Sequence, residues 1–268
     1  RKQIIKDELL ALKEKYGDER RTEIIKDYKE FALEDIIAEE DVVVTISHGG
    51  FIKRFPVSGY RRQGRGGKGV TGAGTKEDDF IEHMFVASTH QYILFFTDKG
   101  RCYWLKVHEV PEGGRTARGR SVVNLLDKDK DDNITAFVAV KEFRDDQYLI
   151  MATQKGTIKK TVLAAYGNVR KGGINAINLA PGDSLIEVKM TDGKNDIVIG
   201  TSNGFAIRFN EKDVRDMGRT ATGVRGVRLG KGDHVVGLLV IRNDQTTVLV
   251  VTEKGYGKRS DINDYRIT

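Results

Sequence analysis

The sequence predicts an all-β, propeller-like fold of four-stranded blades, each about 50 residues long, preceded by a short α-helix. Three observations carry this prediction. From Val42 onward the chain runs in alternating and β-branched stretches. A polar triplet closed by glycine recurs five times behind an apolar run. Thirty glycines against three prolines (Pro56, Pro111, Pro181) provide for many tight turns.

At the N-terminus, Ile5, Leu9, Leu12 and Tyr16 recur at helical spacing among Lys and Glu, with Gly17 placed to cap the end. Residues 1–21 therefore read as the helical tail of an element that begins upstream. Residues 22–41 are charged, with a short apolar patch at Leu33, Ile36 and Ile37, and read as an acidic linker. Residues 42–268 are the β-domain. Its repeat consists of Ser47–Gly50, Thr97–Gly100, Thr153–Gly156, Thr201–Gly204 and Thr252–Gly255, with the glycines spaced by 50, 56, 48 and 51 residues. A polar triplet and glycine between two extended runs is the pattern of a hairpin tip, where the turn needs positive φ.

The tenth residue after each tip glycine is Tyr60, Val110, Tyr166, Val214 or Tyr265, so a shared core position is expected there. A further strand is expected to open at Gly69-Val70, Ser121-Val122, Gly173-Ile174 and Gly226-Val227. Units of this size must stack, because one small sheet cannot bury its own faces. The fifth unit reaches Thr268 with half its strands missing and is expected to be truncated.

No apolar run approaches the ~20 residues needed to cross a bilayer. The single cysteine, Cys102, excludes an internal disulfide and fits a reducing compartment, and Arg1-Lys2-Gln3 does not resemble a signal peptide. A cytoplasmic fragment is the expectation. The net charge of +6 is unevenly distributed, since residues 1–41 hold nine basic and thirteen acidic side chains and the remainder 36 and 26. A basic β-domain favours a polyanionic partner.

Four residues after the tip glycines stand Arg54, Trp104, Lys160, Arg208 and Arg259, and a cation in four of five units implies an exposed site. Ahead of the later strand come Arg65 and Lys68, Arg118 and Arg120, Arg170 and Lys171, and Arg219 and Arg225. Together they predict a basic band that holds duplex DNA through its phosphates, about one charge per 1.7 Å of axis, without reading sequence. The alternative is that these cations only solvate blade edges and discourage sheet-to-sheet aggregation.

Gln63-Gly-Arg-Gly-Gly-Lys-Gly69 is the most distinctive stretch. Its small residues let a backbone approach an anion while Arg65 and Lys68 neutralise it. Gly64, Gly66 and Gly69 fit the spacing of a dinucleotide fingerprint, but Thr71-Gly-Ala-Gly74 is a poor helix start. Lys68 is followed by Gly69 rather than Ser or Thr, which excludes a P-loop. A plain glycine loop remains the other reading.

Gln63, Arg65, Gly66, Gly67, Lys68 and Gly69 resemble the seven-residue box on the first blade of the C-terminal DNA-wrapping domains of bacterial DNA gyrase A. Gly64 stands where that family usually has a basic residue, with Arg61 and Arg62 beside it. Lys15–Thr22 resembles the exit from the family's cleavage core, and Asp41–Gly50, Arg118–Asn124, Thr222–Leu229 and Gly255–Arg259 are also similar to it.

The resemblance implies a six-bladed β-pinwheel, here short of its last blade, that bends DNA round a basic rim for ATP-dependent negative supercoiling. It implies as partners duplex DNA, the rest of gyrase A and the ATPase polypeptide, gyrase B, in a heterotetramer, on the nucleoid and not at a membrane. The cleaving tyrosine is expected upstream of Arg1, and ATP and magnesium in the whole enzyme, so this chain alone is expected to have no cofactor and not to be an enzyme. The related domain of topoisomerase IV usually has a degraded box, so this nearly intact one favours gyrase.

Asp127, Asp129 and Asp131 have calcium-loop spacing, but Asp132 occupies the glycine position and Val138 the bidentate glutamate position, leaving a solvated acidic turn. The five histidines are dispersed and one cysteine cannot complete a zinc cluster, so no metal is expected. The competing readings are a DNA-wrapping module, a propeller scaffold that binds proteins, and an enzyme with a site on the propeller rim.

Overall fold

The computed structural model describes residues 1–22, 36–60, 74, 79–129, 131–168, 170, 172–243 and 245–268, in two units, Arg1–Ile36 and Ile37–Thr268. In the first unit Lys2–Tyr16 is an α-helix built from good helix formers, with Lys13 and Lys15 at its electronegative end. Gly17 closes it by donating its N–H to the Lys13 carbonyl at 2.8 Å and is extended (φ −71°, ψ 124°) rather than left-handed; what favours glycine there is close approach, since a Cβ would run into the Lys13 carbonyl oxygen. The apolar stripe of Ile5, Leu9, Leu12 and Tyr16 is exposed along its length.

The second unit is a series of sheets, each centred on one tip hairpin. Asp41–Ser47 pairs antiparallel with Phe51–Pro56, and Ile81–Ser88 pairs on the other side of Asp41–Ser47. The pattern repeats with Tyr92–Thr97, Arg101–Lys106 and Ile134–Val140, then with Tyr148–Thr153, Thr157–Val162 and Leu185–Thr191. It continues with Asp196–Thr201, Ala206–Asn210 and Val235–Ile241, and ends in the hairpin Thr247–Val251 with Gly257–Asp261. The first three sheets gain a fourth strand of two residues each, Arg120–Ser121, Ile174–Asn175 and Val224–Arg225. These strands come from the following unit: Ser121 pairs with Phe51, Asn175 with Arg101 and Arg225 with Thr157. The second, third and fourth units therefore each supply four strands, as the repeat predicts, but one of the four closes the sheet of the unit before.

All five tip glycines have positive φ, from 73° at Gly50 to 85° at Gly156. In the first three units the Ser or Thr that opens the triplet has a structural task. Ser47 Oγ accepts the Phe51 N–H at 3.2 Å, Thr97 Oγ1 that of Arg101 at 3.3 Å and Thr153 Oγ1 that of Thr157 at 3.1 Å, satisfying amides that a tight turn leaves over. From outside, Asp79, Asp183 and Asp233 accept the N–H of Gly49, Lys155 and Asn203 at 2.8, 2.9 and 3.0 Å. The Gly49 hydrogen bond holds the Asp79 carboxyl below the usual carboxylate range.

Each hairpin leaves through a 3₁₀ turn closed by the tenth residue after the tip, except in the third unit, where Tyr166 is the last residue of the turn and Gly167 closes it. Val110, Tyr166 and Val214 are buried there, whereas Tyr60 is only half-buried, edge-on to Phe55 at 5.4 Å. The core lies between neighbouring sheets. Val44, Ile52, Phe95 and Leu105 join the first pair, Leu94, Phe96, Leu149 and Met151 the second, and Ile150, Ile158, Ile199 and Phe209 the third. Each such side chain contributes roughly 1.5–3 kcal/mol by burial.

Candidate nucleic-acid interface

After its 3₁₀ turn each of the second, third and fourth units sends a loop back to the preceding sheet. Gly119, Gly173 and Gly223, with φ of 90°, 71° and 99°, stand immediately before the three two-residue strands. A Cβ on Gly119 would lie 2.5 Å from the Ile52 carbonyl oxygen, and one on Gly223 would lie 2.6 Å from that of Ile158. Conformation and close approach therefore both require glycine here. The pairing corrects the alignment drawn from sequence: Gly119, Gly173 and Gly223 are equivalent, not Ser121, Gly173 and Gly226.

The site expected four residues after the tips is not a free cationic surface in three of its units. Arg54 donates from Nε to the Val110 carbonyl at 2.9 Å and pairs with Glu112 at 3.2 Å. Lys160 is buried, donates to the Glu211 carbonyl at 3.1 Å, pairs with Asp216 at 3.0 Å and lies over the Tyr148 ring. Arg208 is buried against Asp196 at 2.7 Å and donates to the Ile262 carbonyl at 2.9 Å. The backbone at each of these residues also bridges to the next unit, at Glu112, Asp216 and Ile267. These cations fasten consecutive units together, and the expectation of exposure fails because carboxylates and carbonyls compensate their burial. Trp104 fills the position in the second unit, and Arg259 in the fifth is exposed.

The remaining expected cations sit on or beside the returning loops. Arg120, Arg170 and Arg225 are exposed, and Arg118 and Arg219 are half-buried. The Arg118 guanidinium lies 3.5 Å from the centre of the Phe51 ring, a cation–π contact that orients it without neutralising it. Among the described residues none of these five forms an ion pair. Arg61, Arg62, Gln63, Arg65, Gly66, Gly67, Lys68, Gly69 and Lys171 lie outside the described residues.

Half-buried Arg115 and exposed Arg228 belong to the same loops; Arg115 is in register with Arg219 once Gly119 and Gly223 are aligned, which the sequence alignment on Ser121 and Gly226 hid, whereas Arg228 has no cation in register in the second and third units. The acidic turn also differs from expectation, since Asp132 is buried and held by Lys99 at 2.8 Å. Among the described residues no group of His, Cys, Asp and Glu could hold a metal ion, and no helix is long and apolar enough to cross a membrane.

The family model described as DNA gyrase C-terminal domain, beta-propeller, matches residues 41–88, 91–140, 147–192, 195–242 and 246–268, one match for each hairpin unit. The chain belongs to the DNA gyrase C-terminal domain family. It is 46% identical over 269 residues to the DNA gyrase A polypeptide of Staphylococcus aureus strain MRSA252, an alignment that covers 99% of this chain and 30% of that protein. The chain thus spans about a third of the length of that relative. Two solved structures are similar. The C-terminal domain of DNA topoisomerase IV has a TM-score of 0.72 at 30% identity, covering 87% of this chain and 71% of its own. The DNA gyrase A C-terminal domain has 0.70 at 26%, covering 85% and 74%. The all-β, propeller-like fold expected from the repeat is the fold of this family.

Proposed function

We propose that the chain grips duplex DNA through its phosphates along the returning loops and bends it, presenting a segment for negative supercoiling by a gyrase-type topoisomerase. The observation that carries this reading is the set Arg118, Arg120, Arg170, Arg219 and Arg225: loops that bridge consecutive sheets present guanidiniums without carboxylate partners among the described residues. A guanidinium with unused donors in a fork is suited to a phosphate. Arg259, Arg61, Arg62, Lys171 and the Gln63–Gly69 segment are proposed as further phosphate contacts, whereas Arg54, Lys160 and Arg208 are assigned to the fold. Separate cations repeated on successive loops suit the repeated charge of the phosphates, which carries no sequence information, so recognition is of the backbone.

The partners in this reading are the rest of gyrase A and the ATPase polypeptide, gyrase B, in the cytoplasm and on the nucleoid. ATP, magnesium and strand cleavage belong to those other parts. Smoothly bending 20–30 base pairs costs on the order of 1–6 kcal/mol, which repeated phosphate contacts must offset. The test is to close a nicked plasmid with ligase while the chain is bound. A shift in linking number relative to plasmid closed alone is expected. An unchanged distribution at saturating protein would refute bending, and affinity insensitive to salt would refute phosphate binding and favour a protein-docking scaffold.

A further inference from the structure

Two lysines, each the third residue after a tip glycine, are almost wholly removed from solvent: Lys53 is 1% exposed and Lys159 0%. Neither forms an ion pair among the described residues. Lys53 Nζ donates to the carbonyls of Gly114 at 3.0 Å and Arg115 at 2.5 Å. Lys159 Nζ donates to the Ala176 carbonyl at 2.5 Å and to the Arg219 carbonyl. The nearby carboxylates Glu112 and Asp216 are paired with the adjacent residues, Arg54 and Lys160.

Around Lys159 the other groups offer no negative charge. The Tyr166 hydroxyl shares the Ala176 carbonyl at 3.4 Å, and burial pushes both that phenol and the Cys102 thiol up, so they are neutral. The Arg219 guanidinium is a like charge. Around Lys53 the neighbouring ionised groups are the Arg54–Glu112 pair and Arg118 over Phe51. Among the described residues, main-chain dipoles alone therefore hold both ammonium groups. Isolated buried charge is costly, and here it is directed at the loops that carry the unpaired arginines. Gly119 and Gly223 anchor the far end of each loop to the same strands, at Ile52 and Ile158.

We propose that Lys53 and Lys159 are positioning residues for the DNA interface: each buried ammonium grips loop carbonyls and so fixes where the arginines of its loop meet phosphates. The proposal rests on the DNA-holding reading. In the second unit the equivalent residue, Tyr103, closes on Gly173 with its ring, in the fourth it is Ile207, and in the fifth Lys258 is exposed, so among the described residues the device is confined to two loops.

The test uses K53M and K159M in the 268-residue chain, with binding to a duplex of about 40 base pairs titrated against salt. Neither lysine reaches solvent, so neither can itself contact a phosphate. Folded K159M should nevertheless lose about 0.9 from the log–log salt slope for each arginine contact displaced, and amide exchange should quicken across residues 217–225. K53M should do the same across 113–121. A second arm needs no variant: burial pushes the Lys159 ammonium down to about 8, so the slope of the unmodified chain should fall between about pH 7.5 and 9 while its arginines stay charged. K159M should show no such step. A steep, pH-independent slope in the unmodified chain, or a K159M slope and loop exchange equal to those of the unmodified chain, would overturn the proposal alone. A slope near zero in the unmodified chain would overturn the DNA-holding reading and this proposal with it.

Discussion

Replacing Arg208 by methionine removes a guanidinium that is 5% exposed and reaches Asp196 at 2.7 Å through one nitrogen and 2.9 Å through Nε. The Asp196 side chain is itself only 15% exposed and would keep one donor, Asn210 Nδ2 at 2.9 Å. The Ile262 carbonyl would lose the donor it has at 2.9 Å. Removing one partner of a buried pair typically costs about 3–5 kcal/mol, because a charge is left uncompensated. The residual exposure of Asp196 and its surviving hydrogen bond place this case near the lower end, at about 3 kcal/mol. For a domain of this size that corresponds to a fall in Tm of roughly 6–12 °C.

Denaturant or thermal unfolding would measure the loss, and a salt titration of DNA binding on the folded variant should give the parent slope. Pairing R208M with Asp196→Leu should recover most of the stability, since the buried charge is then gone. An R208M protein with unchanged Tm and a slope lower by about 0.9 would refute the assignment of Arg208 to the fold and return it to the DNA track.

Gly119→Ala and Gly223→Ala combine positive φ with a Cβ within 2.6 Å of a carbonyl; each should cost about 1–3 kcal/mol or more in unfolding experiments and lower the DNA salt slope by displacing its loop. The folded-state Lys159 pKa lies below that of the unfolded chain, so between about 8 and 10.5 the unfolded state holds a proton that the folded state lacks. Lys159 should therefore add stability as pH rises across that window, by at most ~3 kcal/mol at about 1.36 kcal/mol per pH unit, read as the difference between the unmodified chain and K159M unfolded at each pH, because Lys53, lowered by burial, adds a rise and Cys102 and Tyr166, pushed up by burial, add a fall that both proteins share. Arg120→Ala with Arg225→Ala should leave Tm within about 1 °C, both being exposed, while lowering the salt slope by about 0.9 per contact. In full-length gyrase A paired with its ATPase partner, R65A/K68A should abolish negative supercoiling but not DNA cleavage, as gel assays of plasmid topology would register.

The hairpins were legible because a tip glycine with positive φ leaves a fixed trace, a polar triplet opened by a Ser or Thr suited to accept the turn's own amide. The returning strands were legible as segments but not in register. Several glycines cluster near each of them, and only the carbonyls of Ile52 and Ile158 single out Gly119 and Gly223. Charge was the poorest guide. Inner strands are covered by neighbouring sheets, so alternation does not separate inside from outside, and Lys53-Arg54 and Lys159-Lys160 resemble ordinary surface pairs. What makes them internal is a loop some 50–60 residues downstream whose carbonyls no local pattern announces.

Because each closing strand is borrowed from the unit that follows, the module that can be duplicated or excised is not the sheet. Removing residues 91–140 would take Arg120–Ser121 away from the first sheet but would bring Ile174–Asn175 into the frame they vacate, whereas cutting out the second sheet as a body would break the third unit at Ile174–Asn175 and leave Arg120–Ser121 behind without its hairpin. An array built this way can grow or shrink by in-frame recombination between successive tip motifs while each hairpin that another complete unit follows keeps a donor, a tolerance that self-contained blades would not need.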